Sequence, residues 1–129
     1  MSRRKSPSLT DGELRLMRVL WWRGRSTVSE VLEGLEERPK PAYNTVLTML
    51  RILEHKDYVR HDRIGRAFVY EPLINRRDAQ QTAVRHLLRR LFDNSPRELV
   101  LNLLENSALD AREVQELRAL VERARRDAP

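Results

Sequence analysis

A change of period part-way along the chain constrains its fold more than any other feature. In "YVRHDRIGRAFVYEP", Tyr58, Arg60 and Asp62 alternate with Val59 and His61. Ala67, Val69 and Glu71 alternate in the same way with Phe68 and Tyr70. Between the two runs sits "IGR", where Gly65 can take a positive φ, and Pro72 closes the second run. Alternation of this kind on both sides of a glycine turn predicts a β-hairpin. Everything else that is regular in the chain follows the helical period.

Before the hairpin, three helices are predicted. In "TDGELRLMRVLWW", Thr10 and Glu13 have capping-box spacing, so each side chain satisfies the other's backbone N–H. Leu14, Met17, Leu20 and Trp21 then fall on one stripe, and Gly24 ends the helix. A second helix is predicted over "STVSEVLEGLEE", with Val28, Val31, Leu32 and Leu35 as its apolar side. The prolines of "RPKPA" stop it. The third, predicted over Pro41 to Lys56, aligns Val46, Leu50 and Leu53.

After the hairpin, three more helices are predicted. "NRRDAQQTAVRHLLRRLFDN" carries Ala79, Ala83, Val84, Leu87, Leu88 and Leu91 on one side. "SPRELVLNLLEN" opens with Ser95 as cap and Pro96 at the first helical position. "LDAREVQELRALVERARR" pairs Asp110 with Glu113 as a second box and aligns Val114, Leu117, Leu120, Val121 and Ala124. The chain therefore reads as mainly α with a small β-hairpin. A basic, disordered tail is expected over 1–8, including "RRK" at Arg3 to Lys5. A winged helix-turn-helix DNA-binding domain is expected over 9–73, and a helical dimerisation domain over 74–127.

The winged reading follows from the order of three short helices and then a hairpin. In that arrangement the third helix enters the major groove and the hairpin lies along the flanking backbone. Groove readout needs compact side chains that donate or accept hydrogen bonds at base edges. Tyr43, Asn44, Thr45, Thr48 and Arg51 lie largely off the apolar stripe of the third helix and fit that need. Lys40 precedes them, and Arg63 and Arg66 flank the hairpin tip, where they read as phosphate clamps. The net charge of +6 suits a polyanionic partner, here double-stranded DNA.

The second half carries more apolar side chains than two short helices can hide. Leu87, Leu91, Leu99, Leu103, Leu104, Val114, Leu117, Leu120 and Val121 predict burial against a second copy, hence a two-fold homodimer on a palindromic operator. No run approaches the roughly 18 apolar residues of a membrane span, so no membrane insertion is expected. No signal peptide is read at the start of the chain. The absence of cysteine excludes disulfides and thiolate metal sites and fits a reducing cytoplasm.

Several stretches resemble the penicillinase-repressor family, the BlaI/MecI-type transcriptional regulators. They are "LTDGELRLMRVLWWRG", "STVSEVLEGL", "YNTVLTMLRILEHKDYV", "RIGRAFVYEPL" and the leucine-rich end, together spanning about Leu9 to Arg125. The pairing of "VLWW" with the following "TV" is the most specific part. The resemblance implies a homodimeric repressor on a dyad operator, of TACA/TGTA type in family members, that blocks polymerase at resistance or stress genes. It implies a membrane sensor protease as partner. It also implies inactivating cleavage at an Asn–Phe bond in the dimerisation region, which maps onto Asn102–Leu103, with leucine in place of phenylalanine. Asp57 stands where relatives carry a glycine after the third helix. The copper-responsive branch has a cysteine cluster that this chain lacks.

Two other function classes were weighed. A winged helix that binds protein partners instead of DNA would present a third helix and hairpin low in positive charge. Lys40, Arg51, Arg63 and Arg66 argue against it. An enzyme is not expected: His55, His61 and His86 show no metal-ligand spacing, and neither a phosphate loop nor a nucleophile elbow is present. No cofactor and no metal is called for.

Overall fold

The computed structural model describes residues 8–106 and 108–128. The basic tail expected over 1–8, apart from Ser8, lies outside the described residues. Contacts divide the chain into two compact units, Met1–His86 and Leu87–Pro129.

In the first unit, α1 (Asp11–Arg23) starts at the predicted capping box. Glu13 N–H donates to the Thr10 hydroxyl at 3.1 Å, and Thr10 N–H donates to the Glu13 carboxylate at 2.9 Å. Gly24, at φ 87°, closes the helix with its N–H on the Leu20 carbonyl. Helix α2 (Val28–Gly34) is shorter than expected at both ends. Ser26 and Thr27 form a two-residue strand, β1, that the sequence reading missed. Thr27 then caps α2 in a box with Glu30. At the far end, Leu35 is buried in extended conformation, so the helix stops ahead of the prolines.

Helix α3 (Tyr43–His55) buries Val46, Leu50 and Leu53, the predicted stripe. Asp57 follows at φ 68°, the left-handed conformation that an aspartate tolerates. Strands β2 (Val59–Ile64) and β3 (Ala67–Pro72) form the predicted hairpin around Gly65, at φ 62°. The sheet order is β1-β3-β2, all antiparallel, with Ser26 opposite Tyr70 and His61 opposite Tyr70 on the other side. The core of the unit gathers Leu16, Met17, Leu20, Val28, Val31, Val46, Leu50, Leu53, Val59 and Tyr70 from all three helices and the sheet.

One buried ion pair ties this core together. Lys56, just past α3, sits 2.8 Å from the Glu13 carboxylate on α1, with side-chain exposures of 13% and 7%. Glu13 thus serves two ends at once, the cap of α1 and the cation after α3. Burial, and next the charge of Glu13, raise the pKa of Tyr58.

Helix α4 (Arg76–Leu91) begins where Asn75 accepts the Asp78 N–H at 2.8 Å. It ends at Asp93 and Asn94, both at positive φ, with Asn94 N–H on the Leu88 carbonyl. In the second unit, α5 (Pro96–Glu105) is capped by Ser95, and α6 (Ala111–Asp127) starts at the Asp110–Glu113 box. None of the described residues from Leu87 onward is buried.

The Glu13–Lys56 pair sets a stability expectation. Lys56→Met leaves a buried carboxylate without its counter-ion and is expected to cost about 3 kcal/mol of unfolding free energy. Glu13→Gln keeps the capping geometry, because glutamine also serves at that position. The double variant should therefore lose less than the lysine variant alone. Urea titrations followed by tryptophan fluorescence measure both; equal losses in the single and double variants would refute the coupling.

Candidate nucleic-acid interface

The surface opposite the buried stripe of α3 is where the sequence-predicted residues meet. Tyr43, Asn44, Thr45, Thr48 and Arg51 are all exposed. Asn44 and Thr48 are one turn apart, and Arg51 is close to two turns from Asn44, so the three share a face. Their outward direction follows from the inward one: with Val46, Leu50 and Leu53 fully buried, the helix cannot rotate. Ala42 at the cap position makes no side-chain hydrogen bond to the first turn. The N-terminal end of α3 therefore presents its partial positive charge without a covering side chain.

Lys40 lies apart from this set in its bonding. Its ammonium donates to the carbonyls of Leu32 at 3.2 Å and Glu33 at 2.6 Å, at the end of α2. The lysine therefore fixes the connection between α2 and α3. Of its three N–H donors, two are engaged in this way.

The hairpin presents its tip differently from its base. Arg63 and Arg66 are exposed, and no ion pair engages either among the described residues. Arg63 lies over the Phe68 ring at 5.5 Å, which steadies the guanidinium without neutralising it. At the base, by contrast, two arginines and two acids form a closed network. Arg25 reaches Asp62 at 3.1 Å and Glu71 at 2.9 Å, and Arg60 reaches Asp62 at 2.8 Å and Glu71 at 3.4 Å. Sequence reasoning missed this network, because Arg25 lies far from the hairpin along the chain and only β1 brings it there. A further tie joins the hairpin to α3: the two Glu54 carboxylate oxygens each lie 2.8 Å from His61 Nδ1. The His61 ring in turn rests against Phe68 and Tyr70, each at 5.2 Å between centroids. Burial, followed by the charge of Glu54, raises the pKa of Tyr70, and Arg51 opposes that rise.

Comparison with known proteins now identifies the family. The sequence model of the penicillinase repressor family matches residues 9–123. The chain belongs to the penicillinase repressor family. That is a family of DNA-binding transcriptional repressors and not of enzymes. The penicillinase repressor of Bacillus licheniformis is 33% identical over 119 residues, covering 92% of this chain and 93% of the relative. The methicillin resistance regulatory protein MecI of Staphylococcus aureus (strain N315) is 20% identical over 117 residues, covering 91% of this chain and 95% of the relative. The solution structure of the DNA-binding domain of the repressor BlaI is similar with a TM-score of 0.50 and 34% identity. It covers 58% of this chain and 93% of that domain. The winged-helix fold expected from the element order is thereby established.

The network at the hairpin base predicts a titration. The hydrogen bond from Arg60 is the main cause that holds the Asp62 carboxyl below its ordinary range; desolvation, the next largest effect, opposes it, and the charges of Arg60, Arg25 and His61 add to the lowering. A carboxylate whose folded pKa is depressed stabilises the fold above its unfolded pKa and loses that contribution as pH falls through the folded value. Carboxylate NMR titration should place Asp62 below an ordinary aspartate. Arg60→Gln should move its midpoint upward; an unmoved midpoint would exclude Arg60 as the main cause.

Proposed function

We propose that this chain is a homodimeric, sequence-specific repressor that lays one α3 from each protomer into the major groove of a palindromic operator. The observation that carries this reading is the outer face of α3. Three fully buried apolar side chains fix the helix, and Tyr43, Asn44, Thr45, Thr48 and Arg51 stand exposed on it. Asn and Arg can bond base edges bidentately, and the threonine methyl groups suit contact with thymine. Arg63 and Arg66, which no ion pair engages among the described residues, would hold the phosphates beside the groove, and Lys40 has one donor left for the same purpose. The uncapped start of α3 suits a phosphate as well. The relatives support the reading: the B. licheniformis protein is named a penicillinase repressor, and the BlaI domain is a DNA-binding domain.

Dimerisation is supported by what the second unit leaves exposed. Leu91 is 66% exposed, Leu120 52% and Val121 58%. Leu87, Leu103, Leu104 and Leu117 are also exposed, and Leu99 and Val114 are only half-buried. So many exposed leucines and valines in one small unit support an interface there. The domain reading of 9–73 for DNA and 74–127 for pairing belongs to the same proposal, although the contacts divide the chain later, between His86 and Leu87 inside α4. Among the described residues, no helix is long and apolar enough to cross a membrane. The repressor reading places the protein in the cytoplasm with its operator.

Release by a membrane sensor protease at Asn102–Leu103 is part of the same proposal. Both residues have exposed side chains, but the bond lies inside α5. Asn102 also accepts from the Asn106 backbone N–H and side-chain amide, each at 3.1 Å. Cleavage there requires the last turns of α5 to open, which separates a paired, protected state from a labile one.

Footprinting on the DNA upstream of the protein's own gene tests the core of the proposal. Protection of a palindrome is expected, with affinity falling steeply as salt rises. Arg66→Ala should reduce the slope of log affinity against log salt by about 0.9, the share of one phosphate contact. Asn44→Ala should cost about 1–3 kcal/mol of discrimination at the base pair it reads while barely changing non-specific binding. No preference for the upstream DNA over random duplex would defeat the repressor reading. Leu117→Asp with Leu120→Asp should convert the protein to a monomer in sedimentation and weaken operator binding roughly 10²–10⁴-fold. An unchanged dimer would remove the second unit as the pairing surface.

A further inference from the structure

Away from the outer face of α3, the first unit contains a cavity of about 280 Å³ between α1 and the first half of α4. Leu9, Leu14, Trp21 and Ala79 provide apolar wall, and Arg18 and Arg76 line it as well. No acid does. Trp21 is held in place by its indole N–H, which donates to the Ile74 carbonyl at 2.9 Å. The Arg76 guanidinium lies 5.7 Å from the Trp21 ring centroid, so charge and aromatic face sit side by side. Among the described residues, neither Arg18 nor Arg76 takes part in an ion pair.

The dimensions and the charges select a ligand class. An apolar cavity of about 150 Å³ admits benzene, and pockets for small ligands begin at roughly 300 Å³. This cavity therefore has room for one ring and a short arm. Two arginines without acid partners favour an anion, and a guanidinium binds a carboxylate through two parallel hydrogen bonds. We propose that the cavity binds a small carboxylate with an apolar body, of arylacetate size. The body packs against Leu14 and Trp21, and the carboxylate is held by Arg18 and Arg76. The walls are wholly separate from the residues assigned to DNA, so this binding stands or falls independently of the operator.

Phenylacetate is a suitable probe, with 2-phenylethylamine as its counterpart of opposite charge. In a nitrogen-15 spectrum of the full chain, phenylacetate should shift the Trp21 indole N–H and the amides of α1 and the first half of α4, and do so saturably. The amine should shift none of them. Arg18→Ala with Arg76→Ala should weaken the binding about tenfold or more. Ala83→Trp, which fills the cavity and leaves both charges in place, should abolish the shifts. The dispersion of its spectrum reports that it remains folded. The proposal is overturned if the amine binds as well as the acid. It is also overturned if the shifts fall on the leucine-rich helices, or if either substitution leaves the binding unchanged.

Discussion

The burial of Val46, Leu50 and Leu53 is the constraint on which the rest of the molecule turns. Three side chains at helical spacing, all fully enclosed, set the rotation of α3 about its own axis. A helix free to roll would present a different set of residues at each angle. Once the stripe is buried, the outward set is determined, and it consists of Tyr43, Asn44, Thr45, Thr48 and Arg51. The Glu13–Lys56 pair fixes the far end of the helix against α1, and the Glu54–His61 contact fixes its flank against the hairpin. On the proposed reading, recognition and folding are thus assigned to opposite faces of one element. Substitutions on the outer face change little of the core, since exposed positions away from special contacts cost within about 0.5 kcal/mol. On the proposed reading, the outer face is free to follow the operator sequence.

Charge is arranged by the same logic. A net charge of +6 says little about where a polyanion would touch the surface. At the hairpin base, Arg25 and Arg60 are matched by Asp62 and Glu71, so this patch is close to neutral. Arg51 on α3 and Arg63 and Arg66 at the tip have no such partners among the described residues. Among the described residues, the arginines without acid partners are thus one on the outward side of α3 and two at the hairpin tip. Exposed ion pairs of this kind contribute little stability. Their effect is to silence two arginines and to brace the hairpin that carries Arg63 and Arg66.

The parts of this arrangement written in short sequence intervals were legible beforehand. The capping boxes at Thr10 and Asp110, the turn at Gly65 and the stripe of α3 all rest on spacings of two to four residues. The positive φ at Asp57 was legible only through the resemblance, since relatives carry a glycine there. What escaped was set by distance along the chain. Strand β1 has only two residues, too few to show alternation, and forms because β3 offers it a pairing edge. Helix α2 is cut short because Leu35 turns into the core, an influence from α1 and α3. Lys40 read as a DNA-binding residue from its charge and position, and its hydrogen bonds to the end of α2 emerge only in three dimensions. The Glu13–Lys56 pair spans 43 residues and carries no local signature.

The two units follow different physical rules. The first encloses its own core and is complete as a single chain. The second has no buried residue among those described, so its helices lack the tertiary cover from which helical stability mostly comes. Helix α5 has only 10 residues, shorter than the roughly 12–15 at which isolated helices become even marginal in water. Its Ser95 cap and first-position proline help, but they act at one end. On the proposed reading, pairing supplies the missing cover, and helix formation and dimerisation become one equilibrium. Opening of the Asn102–Leu103 bond then competes directly with pairing, and a protease acting on the open form draws dimers apart. The operator, by binding both first units at once, favours the paired state through linkage. Protection from cleavage and repression would then be two readouts of a single free-energy difference.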